Sequence, residues 1–340
     1  MLEFTVAGFL LLALIFYAVT GGADSGGGMW DLLASGPRAE KQRRAIAKAI
    51  GPIWEANHVW LILVVVVLFT AFPRAFAAIM TALYIPVTLM LIGVIFRGSA
   101  FIFRKYDSRA ENVQNRWSTL FGAASFFTPF VQGVTLGALA TGQIRVEHGT
   151  LTSGFLAGWL TPFAFLCGVF ALGLCSFLAA TYMTNDTREQ QDVQNDFRLR
   201  ALCSGAALGP IALAAFLVAK TGAPEIFAGL TQWWALPLIG LTICLALVAL
   251  ASLWWRKFSL ARFAAIGTAT LVLAGWSLAQ FPYLIVPDVT IPNAAAPAIT
   301  LRLLLIALIA GSAILLPSLY FLFYIFKGDE AAGSESREKV

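Results

Sequence analysis

The chain has 340 residues, of which 59% are hydrophobic and only 12% charged, and its mean hydropathy is +0.80. A soluble domain of this length carries about a quarter charged residues, so the composition excludes a soluble enzyme and points to an all-α polytopic membrane protein. The net charge of +5 is spread over short loops without a long basic run, which argues against nucleic acid as a partner.

Nine stretches are apolar and long enough to cross a bilayer, which takes about 20 residues. They are 4–33, 51–72, 75–97, 117–140, 154–184, 200–220, 230–255, 260–281 and 299–326. Several exceed the minimum, so tilt or protrusion is expected. With the N-terminus outside, 19 of the 23 Lys and Arg residues fall in inward segments. Only Arg74, Arg145, Lys220 and Arg302 fall outside, so the charge bias favours N-out, C-in and an odd number of spans. The N-terminus lacks the positive lead of a cleaved signal peptide, and its apolar run reads as a retained first span. The prolines at 282, 287, 292 and 297 mark an ordered outer loop over 282–298. Residues 1–327 form the membrane domain, and 328–340 read as a disordered cytoplasmic tail. A weak repeat, Gly51-Pro52-Ile53 and Gly209-Pro210-Ile211, opens the second and sixth predicted spans and suggests two four-helix halves plus a ninth helix. Cys167, Cys175, Cys203 and Cys244 all lie in apolar stretches without a CxxC pair, so they read as buried small residues rather than a disulfide or metal site.

The chemistry concentrates in the first three spans. The first ends Thr20-Gly21-Gly22-Ala23-Asp24-Ser25-Gly26-Gly27-Gly28-Met29-Trp30-Asp31, where glycines permit close helix approach and Asp24 and Asp31 stand two turns apart on one face. The second opens Trp54-Glu55-Ala56-Asn57-His58-Val59-Trp60, followed by an apolar run. An ionisable group inside a span is costly and its default explanation is functional. Glu55 and His58 share a helix face and titrate in different ranges, so Asp24, Glu55 and His58 form a candidate proton-transfer set, with Trp54 and Asn57 supporting. The bland alternative is that Asp24 pairs with an arginine, or Glu55 caps a helix end, with no role in transfer. Arg97 and Arg104, seven apart, suit contacts to carboxylates or propionates of a partner subunit, or equally to lipid headgroups. Pro129 is expected to break the fourth span beside a buried Gln132 that makes a packing hydrogen bond. The only histidines, His58 and His148, fall on opposite sides and cannot form one bis-histidine site.

These strings, with Phe96-Arg97-Gly98-Ser99-Ala100-Phe101 and Phe281-Pro282-Tyr283-Leu284, resemble subunit II of the cytochrome bd-type quinol oxidases along the whole chain. The resemblance implies nine transmembrane helices in two four-helix bundles plus a peripheral helix. It implies a heterodimer with a similarly folded subunit I in the bacterial cytoplasmic membrane, with small single-helix accessory subunits and membrane lipids as further partners. By the same resemblance, haem b and haem d-type groups sit in subunit I and none on this chain, and no metal is bound here. The complex would oxidise quinol, reduce dioxygen with cytoplasmic protons and generate proton motive force without pumping. Asp24 matches the second acid of the family's Asp-Gly-x-Asp string, while Gly21 replaces the first, so the usual two-carboxylate relay is incomplete. Glu55 holds a position often taken by aspartate, and Trp60 matches one associated with a dioxygen passage. The rival class is a proton-coupled secondary transporter, which would use buried acids and a glycine-broken first helix in the same way.

Overall fold

A computed structural model describes residues 1–51, 53–106, 111–147 and 149–335. Pro52 of the Gly-Pro-Ile repeat, Arg109, His148 and residues 336–340 lie outside the described residues. Thirteen helices occur among those described. They are α1 (Leu2–Leu32), α2 (Ala39–Ile50), α3 (Trp54–Ala71), α4 (Pro73–Ala82), α5 (Tyr84–Tyr106), α6 (Glu111–Ala140), α7 (Pro162–Asp186), α8 (Gln191–Gly222), α9 (Pro224–Leu230), α10 (Ala235–Trp254), α11 (Phe258–Gln280), α12 (Ile291–Ala294) and α13 (Ala298–Glu335). Nine of them, α1, α3, α5, α6, α7, α8, α10, α11 and α13, are long and apolar enough to cross a membrane.

Eight of these form two bundles, α1, α3, α5 and α6 in one and α7, α8, α10 and α11 in the other. Helix α13 lies at the periphery against α1 and α3, while α1 also packs on α7 and α11 and joins the halves. The glycine run of α1 makes that junction possible. A Cβ on Gly26 would run into the backbone carbonyl of Cys175 on α7, and one on Gly28 into the Ser125 hydroxyl on α6. Only hydrogen fits between backbones that close, so packing sets the composition here rather than helix propensity.

Three expectations about the spans need correction. The third span is α5, nine residues further on than 75–97. The apolar run before it folds as the separate short helix α4, started by Pro73 at its first turn and ended at Leu83. Ala75, Ala78, Ile79 and Ala82 bury against Val6 and the 285–296 loop rather than lipid, so their hydrophobicity marks a core and not a crossing. The fifth span begins at Pro162, not 154, because Thr161 caps α7 by accepting the Ala164 N–H at 3.2 Å. Pro129 does not interrupt α6, which runs through it to Ala140. In addition, Gly209-Pro210-Ile211 sits inside α8 rather than opening it, so the suspected repeat is not structural. Helix α13 continues to Glu335, into the segment whose composition reads as a tail; Glu330, Ala331 and Ala332 are good helix formers.

The two ends differ. At one end, amphipathic α2 buries Gln42, Ile46 and Ile50 and is clasped to α8, where Arg38 donates to both Asp196 carboxylate oxygens at 2.6 and 2.8 Å. At the other, β1 (Val146–Glu147) pairs with β2 (Thr150–Leu151) in the α6–α7 connection, and the 281–297 segment is ordered by β3 (Tyr283–Ile285) pairing with β4 (Val289–Thr290). Asp288 accepts two hydrogen bonds from Arg145, at 2.8 and 3.2 Å, and one from the Val146 N–H at 2.9 Å. Partial burial of Asp288 favours its protonated form, but the Arg145 guanidinium and the Val146 N–H outweigh it and hold its carboxyl below the usual carboxylate range.

Candidate functional site: a polar ladder through the first bundle

Helix α1 carries Tyr17, Asp24 and Asp31 at intervals of seven, so the three stay on one face over about 21 Å. Helix α5, running the same way, carries Arg97 and Arg104, and α6, running the opposite way, carries Ser118, Ser125 and Gln132. Equal periods on packed helices bring these side chains together in layers.

The layer nearest α2 is fully built. Arg104 Nη1 donates to Asp31 Oδ2 at 2.7 Å and to Ser118 Oγ at 3.1 Å, and the Ser118 hydroxyl donates to the same Asp31 oxygen at 3.0 Å. Asp31 is fully buried, yet its Oδ1 has no hydrogen-bond partner. The second layer holds Asp24, 4% exposed, whose Oδ2 accepts from Asn57 Nδ2 of α3 at 2.7 Å. Arg97 belongs to this depth. It is buried, and its Nε has no hydrogen-bond partner. The Phe121 ring lies between the two arginines, 5.8 Å from the Arg97 guanidinium carbon and 5.7 Å from that of Arg104. In the third layer Gln132 Nε2 donates to the Tyr17 hydroxyl at 2.7 Å. His58 stands edge-on to Tyr17, with ring centroids 6.3 Å apart. A carbonyl can only accept, so His58 Nδ1–H donates to Trp54 O at 2.8 Å and the neutral ring keeps Nε2 as its basic atom.

The placement of the candidate residues follows from α3. Asn57, not Glu55, meets Asp24, and His58 turns toward Tyr17. Glu55 is exposed on the outer face of α3, so Asp24, Glu55 and His58 do not converge on one point. Trp54 packs edge-on to His58 and against Phe101. Trp60 is buried and stacked on Phe16 at 4.5 Å, in a cluster with Ala13 and Tyr17 that α13 covers with Leu315 and Leu319. Arg104 is committed to Asp31 inside this chain, and Arg97 lies within a membrane helix rather than at its end. Sequence reasoning missed Tyr17, Ser118 and Ser125 as members of the ladder. Their seven-residue spacing was the available signal, but serine and tyrosine are ordinary in apolar helices and carry no charge to draw attention.

No group of three His, Cys, Asp or Glu side chains arranged to hold a metal ion occurs among the described residues. His58 sits between Trp54 and Tyr17 with Nδ1 engaged by the Trp54 carbonyl, which leaves Nε2 available.

The ladder spans the strings that the cytochrome bd resemblance rests on, and a family model for cytochrome bd terminal oxidase subunit II matches residues 2–326. The chain belongs to that family. It is 30% identical to the cytochrome bd-I ubiquinol oxidase subunit 2 of Escherichia coli K12 over 215 residues, 61% of this chain and 53% of that protein. It is 31% identical to the cytochrome bd ubiquinol oxidase subunit 2 of Bacillus subtilis 168 over 196 residues, 57% and 56% respectively. These matches span about half the length of each relative. A further Bacillus subtilis relative aligns over 323 residues at 24% identity, 92% of each chain. The fold is similar to a chain in the structure of the bd oxidase from Geobacillus thermodenitrificans, with a TM-score of 0.75 and 19% identity over 96% of this chain and 98% of that one. Family and nine apolar helices together make this a multi-pass protein of the bacterial inner membrane.

Proposed function

We propose that this subunit II carries no haem itself, supports a haem-bearing subunit I of a quinol:oxygen oxidoreductase, and helps deliver cytoplasmic protons to the oxygen-reduction site. Haem groups in the partner supply the redox chemistry; this chain's residues hold and move protons. The observation that carries the reading is the buried Asp24–Asn57 pair, set in a layered polar ladder with His58 one layer further along. The basic loops favour an orientation with α2 on the cytoplasmic side, so the ladder runs inward from the proton source.

Glu55 supplies the way out. A carboxylate on a lipid-facing surface is costly, and Glu55 is exposed at the start of α3, whose later turns are apolar. Ile62, Val65, Val66 and Phe69 are exposed further along the same helix. A subunit I packed on this face covers both the apolar side chains and the acid, and brings Glu55 to the interface where a proton would leave. Trp60 is the proposed lining residue for dioxygen on the same helix.

The test is Glu55→Gln in the purified two-subunit complex. Oxygen reduction slows by about tenfold or more, in the range of a lost acid–base group, while haem content and assembly stay intact. Wild-type turnover in the assembled variant removes Glu55 from the path. Proton-coupled solute uptake by this chain alone, in vesicles without haem, would establish the transporter reading instead.

A further inference from the structure

At the α2 end of the ladder, Asp31, Leu32, Arg43, Ser118 and Thr119 line a cavity of about 330 Å³. Two independent features mark it as built for water. It has room for roughly ten molecules at about 30 Å³ each, and its walls are polar enough to hold them. It also adjoins a fully buried carboxylate with one unused oxygen, Asp31 Oδ1, and a buried acceptor left without a donor is costly unless water serves it.

We infer that this cavity is the intake of the proton path and that Asp31 is the group through which cytoplasmic water enters the ladder. The inference rests on the proton-delivery reading above and deepens it. Asp31 Oδ2 is fixed by Arg104 and Ser118, which orients the carboxylate and leaves Oδ1 without a protein partner in a residue that lines the cavity. Among the described residues its charged neighbours are mainly cations, with Asp196 of α8 held by Arg38 and Gln42 on the far side of Arg200. Arg104 comes from α5 and Arg43 from α2, the latter donating to the Asp31 and Ala34 carbonyls at 3.4 and 3.3 Å. Arg200 comes from α8, over the Trp30 ring at 5.2 Å. Helix α7 places Cys175 against the α1 backbone more than a turn away, and Arg262 of α11 stays with Asp186 at 3.6 Å. Without Asp31 this vestibule would repel hydronium, and with it the local charge is partly cancelled and a proton can approach. Asp24 lies one heptad deeper, about 10.5 Å along the helix. Between them Ser125 stands against Gly28 and offers a hydroxyl on the way past Phe121.

The test uses the whole complex in liposomes, with quinol-driven oxygen consumption recorded from pH 6 to 9. Asp31→Asn loses about tenfold at pH 8.5, where protons are scarce, and less than about twofold at pH 6, the signature of slowed proton collection. Asp31→Glu restores the wild-type profile. Thr119→Trp leaves the carboxylate and its ion pair in place and covers the cavity from an exposed position, so it gives the same alkaline loss and decides the matter if Asp31→Asn does not assemble. Wild-type profiles in both Asp31→Asn and Thr119→Trp, with an altered profile in Asp24→Asn, would overturn the intake and leave proton delivery standing. A wild-type profile in Asp24→Asn as well would remove the delivery reading itself.

Discussion

Replacing Arg104 with glutamine tests whether the first layer is an electrostatic unit. Arg104 Nη1 is 2.7 Å from Asp31 Oδ2, and the aspartate is fully buried. Removing one member of a buried ion pair typically costs about 3–5 kcal/mol, because the remaining charge is left in a poorly solvating site. Two features of this site reduce the cost. Ser118 still donates to Asp31, a hydrogen bond to a charged group worth about 1.5 kcal/mol, and the adjoining cavity admits water. The expected loss is therefore at the lower end, about 3 kcal/mol, a change of roughly a hundredfold in the unfolding equilibrium. The double variant Arg104→Gln with Asp31→Asn replaces two charges by two amides and should recover most of the loss, to within about 1 kcal/mol of wild type. Unfolding of the detergent-solubilised complex by sodium dodecyl sulfate, followed through tryptophan fluorescence, gives both quantities. A single variant as stable as wild type, or a double variant whose cost equals the sum of the two singles, would refute the coupling.

Two further outcomes follow from other parts of the molecule. Trp60→Ala removes a buried ring stacked on Phe16 and should cost about 3–5 kcal/mol in the same unfolding assay; if Trp60 also lines a dioxygen route, the apparent oxygen affinity shifts more than the quinol affinity, and an unchanged oxygen dependence assigns it to packing alone. The Arg145–Asp288 clamp should weaken in acid: the folded carboxyl sits below the unfolded value of about 3.9, so its contribution is complete above that value and is lost as pH falls through the folded one. Half-exposed Arg145 limits the effect to about 1 kcal/mol or less, read as lost amide-exchange protection at Val146 below pH 4, and protection that does not fall there would show the clamp carries no load.

Asp24, Asp31, Arg97 and Arg104 were legible from the sequence because a charge in an apolar run stands out and spacing by seven fixes a common face. The partners were harder to see. Nothing in the string Trp54-Glu55-Ala56-Asn57-His58 indicates that the amide rather than the carboxylate turns toward Asp24, because that depends on how α3 rotates against α1. Gly26 and Gly28, whose missing side chains bring α1 against α7 and α6, help fix how α1 sits among its neighbours. The missed members, Tyr17, Ser118 and Ser125, are neutral, and only packing reveals that their periods coincide with the charged ones.

By itself the sequence determined the solvent: a chain this apolar, with its cations gathered in alternate loops, is a multi-span helical protein, since lipid admits only helices and closed barrels and unbroken apolar runs of about 20 residues lack the alternation of a barrel strand. It did not decide which apolar runs meet lipid. Residues 75–82 continue an apolar run, yet they fold in α4 under the 285–296 loop, because hydrophobicity reports burial without saying what does the burying. The tertiary structure alone decided the rungs of the ladder, because a hydrogen bond between helices depends on their mutual rotation to within an ångström, and that rotation is set by the whole bundle rather than by any one segment.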